Sequence, residues 1–223
     1  MWEGSKTFIL NTILYAGIAA TLDVIIGTAI AYIVLRTNIF GRKALDYLAT
    51  AALAVPGVVL GIGYLRTFHS IDVPFADKPM ASWWVIIALA LMIRRLPYAL
   101  RACTAALQQV SHALEEAAES LGATKRRTIQ KIVVPLMTGG ILAGFVTSFA
   151  TAAVELSATI MLVSSNNDAP LAYGIYLFMQ TPSGRGAGAA LGIVAVLVVA
   201  VGTIASQIII ERDKKLKSSG GEH

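Results

Sequence analysis

Hydrophobic positions fall in long runs separated by short polar breaks, the pattern of helices that cross a bilayer. A spanning helix needs about 20 largely apolar residues. Residues 8–35 meet that length, interrupted only by Asp23. After the polar break 36–43, residues 45–68 predict a second span. The following loop, 69–79, carries Asp72, Pro74, Asp77 and Pro79 and reads as an exposed connection. A third apolar run, 83–93, is too short alone and ends at Arg94 and Arg95. Extended to residue 107 it is long enough, with a kink expected at Pro97. Its two arginines then snorkel to an interface or face other protein. Residues 132–163 predict a fourth span and 186–210 a fifth. Between them, 171–180 is apolar but too short to cross, and predicts a re-entrant or interfacial helix.

Composition fixes the class. Hydrophobic residues make up 56% of the 223 positions, charged residues 14%, and mean hydropathy is +0.70. A soluble domain carries about 25% charged residues, so lipid must cover much of this chain. The fold class is therefore an all-α membrane protein. The net charge of +5 is unevenly spread. If the loops after spans one, three and five lie on one side, that side collects Arg36, Arg42, Lys43, Arg94, Arg95, Arg101, Lys125, Arg126, Arg127, Lys131, Arg212, Lys214, Lys215 and Lys217. The other side keeps Lys6, Arg66, Lys78 and Arg185. By the positive-inside rule the N-terminus is outside and the C-terminal tail cytoplasmic.

Several chemistries are excluded. No basic face alternates with exposed aromatics, so nucleic acid is not expected as a partner. The single cysteine, Cys103, permits no internal disulfide or multi-Cys metal site and reads as a small packing residue. His69 with Asp72 and Asp77 is a common loop trio, and no metal site is expected there. His112 is expected to face solvent or a partner. No cleavable signal is evident, so the first apolar run reads as a true span. A phosphate-binding Gly-Lys-Ser/Thr loop is missing, as is any nucleophile-His-acid set. The chain is expected neither to bind ATP nor to catalyse a reaction.

Polar and helix-breaking residues inside the spans are the path candidates. Asp23, in the middle of span one, is costly in lipid and usually faces protein or water; a role in a path or helix contact and a plain structural hydrogen bond both fit. Glu155, late in span four, fits a pathway or gate role or a packed structural contact. Pro56 and Gly57 can break span two and free carbonyls toward a cavity. Gly57 and Gly61, like Gly140 and Gly144, have the four-residue spacing of close helix packing. Ser157 and Thr159 complete the candidate set of Asp23, Pro56, Gly57, Glu155, Ser157 and Thr159.

The loop 108–135 between spans three and four is the most informative segment. Val110, Leu114, Ala117 or Ala118, and Leu121 share one helical face. Glu115, Glu116 and Glu119 lie off that stripe, and acidic groups suit the first turns of a helix. Gly122 can supply the left-handed residue that ends it, and Lys125 opens a second, basic segment leading to Pro135. The prediction is a short, stiff helix-turn-helix across the membrane face.

The spacing in this loop, Glu116-Ala117-Ala118, then Gly122, Ile132 and Pro135, resembles the cytoplasmic signature of binding-protein-dependent ABC importer permeases; Val134 stands where the family has Leu. The resemblance implies a MetI-like permease core of five transmembrane helices over 1–217, with a polar tail at 218–223. Glu116, Ala117, Ala118, Gly122, Ile132 and Pro135 would form or frame a coupling helix docked in a cleft of an ATPase. Implied partners are two ABC ATPase subunits that bind ATP and Mg, a second permease half (identical or homologous), a solute-binding protein and membrane lipid. Arg94-Arg95 with Pro97, Tyr98 and Arg101, the stretch 55–61 and the stretch 155–159 resemble one branch of that family. That branch imports ferric iron, or phosphorylated sugars and aminoethylphosphonate. It implies a bacterial inner-membrane location, with ferric iron the first expectation and a phosphorylated organic solute the alternative. An ion-coupled secondary transporter using Asp23 and Glu155 is the competing class.

Overall fold

The computed structural model describes residues 2–74 and 78–219, with no account of the side chains of 2–4, 205, 206 and 209–219. Among the described residues the chain is helical with no strand; the loop after the second span is closed by one isolated bridge between Asp72 and Pro79.

Helix α1, Trp2–Arg36, runs the length of the molecule. At 1.5 Å per residue it is about 50 Å long. It packs along α4, Trp84–Gln108, and α8, Thr138–Ala153, and these three form the centre. Small residues allow the close approach: Ala16, Ala19, Ala20 and Ala31 on α1 are fully buried. On α8, Gly140 and Gly144 lie against Ala102, Ala106 and Ala99 of α4, the close-packing role their spacing predicts. Tyr15 of α1 stacks on Trp84 of α4, with ring centroids 5.5 Å apart. Around Cys103, Ile30 and Ala31 of α1 join Leu100 and Leu107 of α4, Val110, Val133 and Met137 in one core cluster.

Hydropathy alone marks Ser5–Arg36 and Pro182–Ile204 as long and apolar enough to cross a membrane. Helix α4 is long enough but carries Arg94, Arg95 and Arg101. It tolerates them because each meets a protein group: Arg94 the Val55 carbonyl, Arg95 the Glu155 carboxylate, and Arg101 the side chains of Asp46 and Thr50. The helix continues through Pro97, which is fully buried, where a kink was expected.

Two expected spans are broken. The second divides into α2, Arg42–Ala51, and α3, Gly57–Phe68, with the two arms bent by 106°. Proline explains the site: Val55 is held extended at φ −84° and ψ 122°, as a residue before proline prefers. The fourth expected span, 132–163, is not one helix. Helix α8 ends at Ala153, and residues 154–158 turn before the four-residue segment Thr159–Leu162. At its other end, α8 meets the preceding arm, which runs from α6, Lys125–Thr128, to α7, Val134–Leu136, at 69°. That arm contains a π-turn, Ile129–Val133, just before Pro135. Proline cannot donate to the carbonyl four residues back, and its ring pushes that carbonyl aside, so a wider turn is favoured there.

The 171–180 expectation corresponds to the nine-residue helix Leu171–Met179, which packs on α1 and on the long C-terminal helix Arg185–Ser219. At about 14 Å it cannot cross a bilayer. Exposed Ile193, Val196, Leu197, Val201 and Ile204 give the C-terminal helix an outward apolar face.

Candidate functional site

Two places gather the sequence candidates. The first lies where the broken helices meet α4. Because Val55 is extended and α3 begins only at Gly57, the Val55 carbonyl lies outside helical bonding, and Arg94 Nη1 donates to it at 3.0 Å. Across from it, Glu155 organises the second break. Its Oε1 accepts from the Ala158 N–H at 3.1 Å and from the Ser157 hydroxyl. The Thr159 hydroxyl donates to the Glu155 carbonyl at 2.8 Å. Glu155 Oε2 pairs with Arg95, and Arg94 Nε lies 3.5 Å from it, close enough for attraction without hydrogen-bond geometry. Glu155 and Thr159 are buried.

Gly57 closes this cluster. A Cβ there would run into the Ser157 hydroxyl and come within 2.8 Å of Arg94 Nη1. The glycine therefore lets the α3 backbone approach the opposite break as no other residue could. The structure thus brings together Pro56, Gly57, Glu155, Ser157 and Thr159. Arg94 and Arg95, which the sequence placed among the inner-side cations and pointed to as snorkelling or protein-facing, are the cations that join them.

Asp23 stands apart. It is fully buried between α1 and α8, where Ser148 donates to its Oδ2 and Oδ1 has no hydrogen-bond partner. Of the proposed loop trio, His69 and Asp72 are exposed, and Asp77 lies outside the described residues.

The second place is the loop 108–135. Helix α5, His112–Ser120, ends at Gly122, whose φ is +84°. The Gly122 N–H donates to the Glu119 carbonyl at 2.9 Å, and the Ala123 N–H to Ala118 at 3.0 Å. This is the paired bonding of a Schellman stop, and it satisfies carbonyls that the helix end would otherwise leave open. Thr124 then caps the next turn, Lys125–Thr128, by accepting from the Arg127 N–H at 3.4 Å.

The structure gives the direction of the α5 stripe, which periodicity left open. The stripe of Leu114, Ala117 and Leu121 faces outward, with Leu114 47% and Leu121 90% exposed, while Val110 alone of the set is buried. Glu115, which lies off that stripe, is only 4% exposed. Its Oε1 takes the Arg36 Nε at 2.6 Å and its Oε2 the Tyr32 hydroxyl at 3.0 Å. Arg36 Nη2 also donates to the carbonyls of Leu107 and Val110. Glu116 is exposed and pairs with His112 at 3.0 Å within the helix; Ala117 is exposed and Ala118 half-buried. Ile132 is half-buried in the π-turn and Pro135 exposed just after it. The loop therefore offers apolar side chains, small residues and a carboxylate to a partner, on a backbone stopped sharply at both turns.

The sequence is similar to those of several transport permeases. The ferric transport system permease protein FbpB of Actinobacillus pleuropneumoniae is 38% identical over 173 residues, which cover 77% of this chain and 24% of that protein. A putative ferric permease of Haemophilus influenzae matches at 37% over 164 residues, 74% of this chain and 25% of its own length. The chain thus spans about a quarter of these ferric relatives. The molybdenum transport permease ModB of Haemophilus influenzae is 30% identical over 203 residues, 86% of this chain and 87% of that one. Among solved structures, a bacterial ABC transporter that imports alginate superposes with a TM-score of 0.74 at 18% identity, covering 92% of this chain and 78% of that one. The inward-facing MetNI methionine ABC transporter gives 0.71 at 13% identity, covering 96% and 95%. The fold is the MetI-like permease fold. Matched over residues 5–215, this chain belongs to the family of binding-protein-dependent transport system inner membrane components.

Proposed function

We propose that this chain is one half of the permease of an ATP-binding-cassette importer and that its solute is ferric iron. The observation that carries the reading is the loop 108–135: a rigid helix, halted at Gly122, whose apolar and acidic side chains face away from the protein that supports it. A face of that kind suits a protein partner at the membrane surface, and a secondary transporter has no mechanical need for it. Leu114, Glu116, Ala117 and Leu121 dock in an ATPase subunit, and Gly122, Ile132 and Pro135 set the geometry of the helix and its return to α8. ATP and Mg bind to that partner, not to this chain.

The side carrying the loop is cytoplasmic, which places the N-terminus outside. Two halves, two ATPases and a solute-binding protein complete the transporter. The cluster of Pro56, Gly57, Glu155, Ser157 and Thr159, bridged by Arg94 and Arg95, is the gate, because it joins three separate elements at helix breaks that can reorient. Asp23 holds α1 to α8.

Ferric iron is favoured by the 37–38% identity to ferric permeases. Import of molybdenum is the second reading, supported by the near full-length match to ModB. The test is ATP hydrolysis by the reconstituted assembly, with binding proteins loaded in turn with iron, molybdate or a phosphorylated sugar. Stimulation by the iron-loaded protein supports the first reading. Stimulation by another loaded protein replaces the solute but keeps the importer. No stimulation by any binding protein, in an assembly that holds its ATPase, removes the importer reading.

A further inference from the structure

The buried group Arg36–Glu115–Tyr32 is not part of the family spacing in the loop, and neither the docking face nor the gate uses it. It joins three elements at one point. Arg36 is the last residue of α1; Leu107 is in the last turn of α4 and Val110 just beyond it; Glu115 is in the first turn of α5. The side chains of Arg36 and Glu115 are 11% and 5% exposed, so water contributes little to holding them. Four directed bonds meet here: Arg36 Nε to Glu115 at 2.6 Å, Arg36 Nη2 to Val110 at 2.6 Å and to Leu107 at 3.2 Å, and the Tyr32 hydroxyl to Glu115 at 3.0 Å.

A planar guanidinium bound on several edges fixes direction as well as distance. Glu115 is also adjacent to Glu116, so one face of α5 meets solvent while the neighbouring position is clamped to α1. Packing of α5 against the following turns secures its other end. Helix α1 then continues without a break to the far end of the molecule, where Asn11 donates to the Asn167 and Ala169 carbonyls at 2.7 and 3.1 Å. Thr12 there accepts from the Leu171 N–H at 2.6 Å. A displacement of α5 is therefore delivered directly to α1 and through it to the opposite surface, in parallel with the covalent route from the loop into α8.

We propose that Arg36, Tyr32 and Glu115 are positioning residues that transmit coupling-helix motion to α1, making α1 a second transmission rod of the transporter. The proposal rests on the docking role assigned to the loop. Glu115 acts through Arg36 and touches no solute.

The test uses the full assembly with its ATPase, in a Cys103→Ala background, with single reporters at Lys6→Cys on the far end of α1 and Leu121→Cys on the docking face. Maleimide labelling is compared in the nucleotide-free and vanadate-trapped states. The expected result is that Lys6→Cys changes its labelling rate severalfold on trapping. Glu115→Gln and Tyr32→Phe should remove that difference while Leu121→Cys stays protected by the ATPase, and Glu115→Asp should restore part of it. Tyr32→Phe deletes a single hydroxyl, so it remains informative where Glu115→Gln lowers the yield of assembled protein. An unchanged Lys6→Cys response in the assembled variants, or no response in the parent, overturns the linkage. Free labelling of Leu121→Cys in the assembly instead overturns the docking reading on which it rests.

Discussion

Glu155 faces two guanidinium groups in a setting that water barely reaches, and its value lies as much in its geometry as in its charge. Removing one partner of a buried ion pair leaves the other charge uncompensated, at a cost of about 3–5 kcal/mol. Glu155→Gln should therefore lower the thermal unfolding midpoint in detergent; an unchanged midpoint would show that the arginines find other partners. Gly57→Ala places a methyl group against the Ser157 hydroxyl and Arg94. Transport should fall, and Ser157→Gly in the same chain should recover part of it, a non-additivity expected only of residues in contact. Simple addition of the two defects in an uptake assay would separate the two breaks.

Elements here are defined by where they stop. Gly122 donates its N–H to Glu119 and sits at positive φ, and proline permits neither. Gly122→Pro should therefore leave insertion intact while separating ATP hydrolysis from uptake, and Glu116→Lys should do the same by reversing charge on the docking face. Normal uptake in both variants would refute the role given to α5. Between α1 and α8, Ser148→Ala would leave Asp23 without its hydrogen-bond donor, costing about 1–3 kcal/mol. The measurable result is less folded protein at a given temperature, with turnover per folded molecule preserved; lost turnover at full stability would move Asp23 into the path.

On the scale of the whole molecule, hydropathy located the apolar segments because lipid imposes length and composition on each. Pro56 and Gly57 signalled the first break by backbone chemistry alone. The end of α8 was not legible, since 132–163 carries one charge and no proline after Pro135, and the partners of that charge, Arg94 and Arg95, lie some 60 residues away. Helical periodicity correctly grouped Leu114, Ala117 and Leu121 but could not say which way they face. A stripe for a partner reads the same as a stripe for a core. The burial of Glu115 was not legible for a related reason: the arginine it pairs with arrives from 79 residues earlier in the chain.

The central claim is that the outward face of α5 is held by an ATPase. Its most direct test is a photo-activatable cross-linker at Leu121 in membranes containing the co-expressed transporter. A cross-link to the ATPase subunit whose yield changes when ATP is bound is the predicted result. An assembled, transport-active complex giving no such adduct, or an adduct only with lipid, would contradict it.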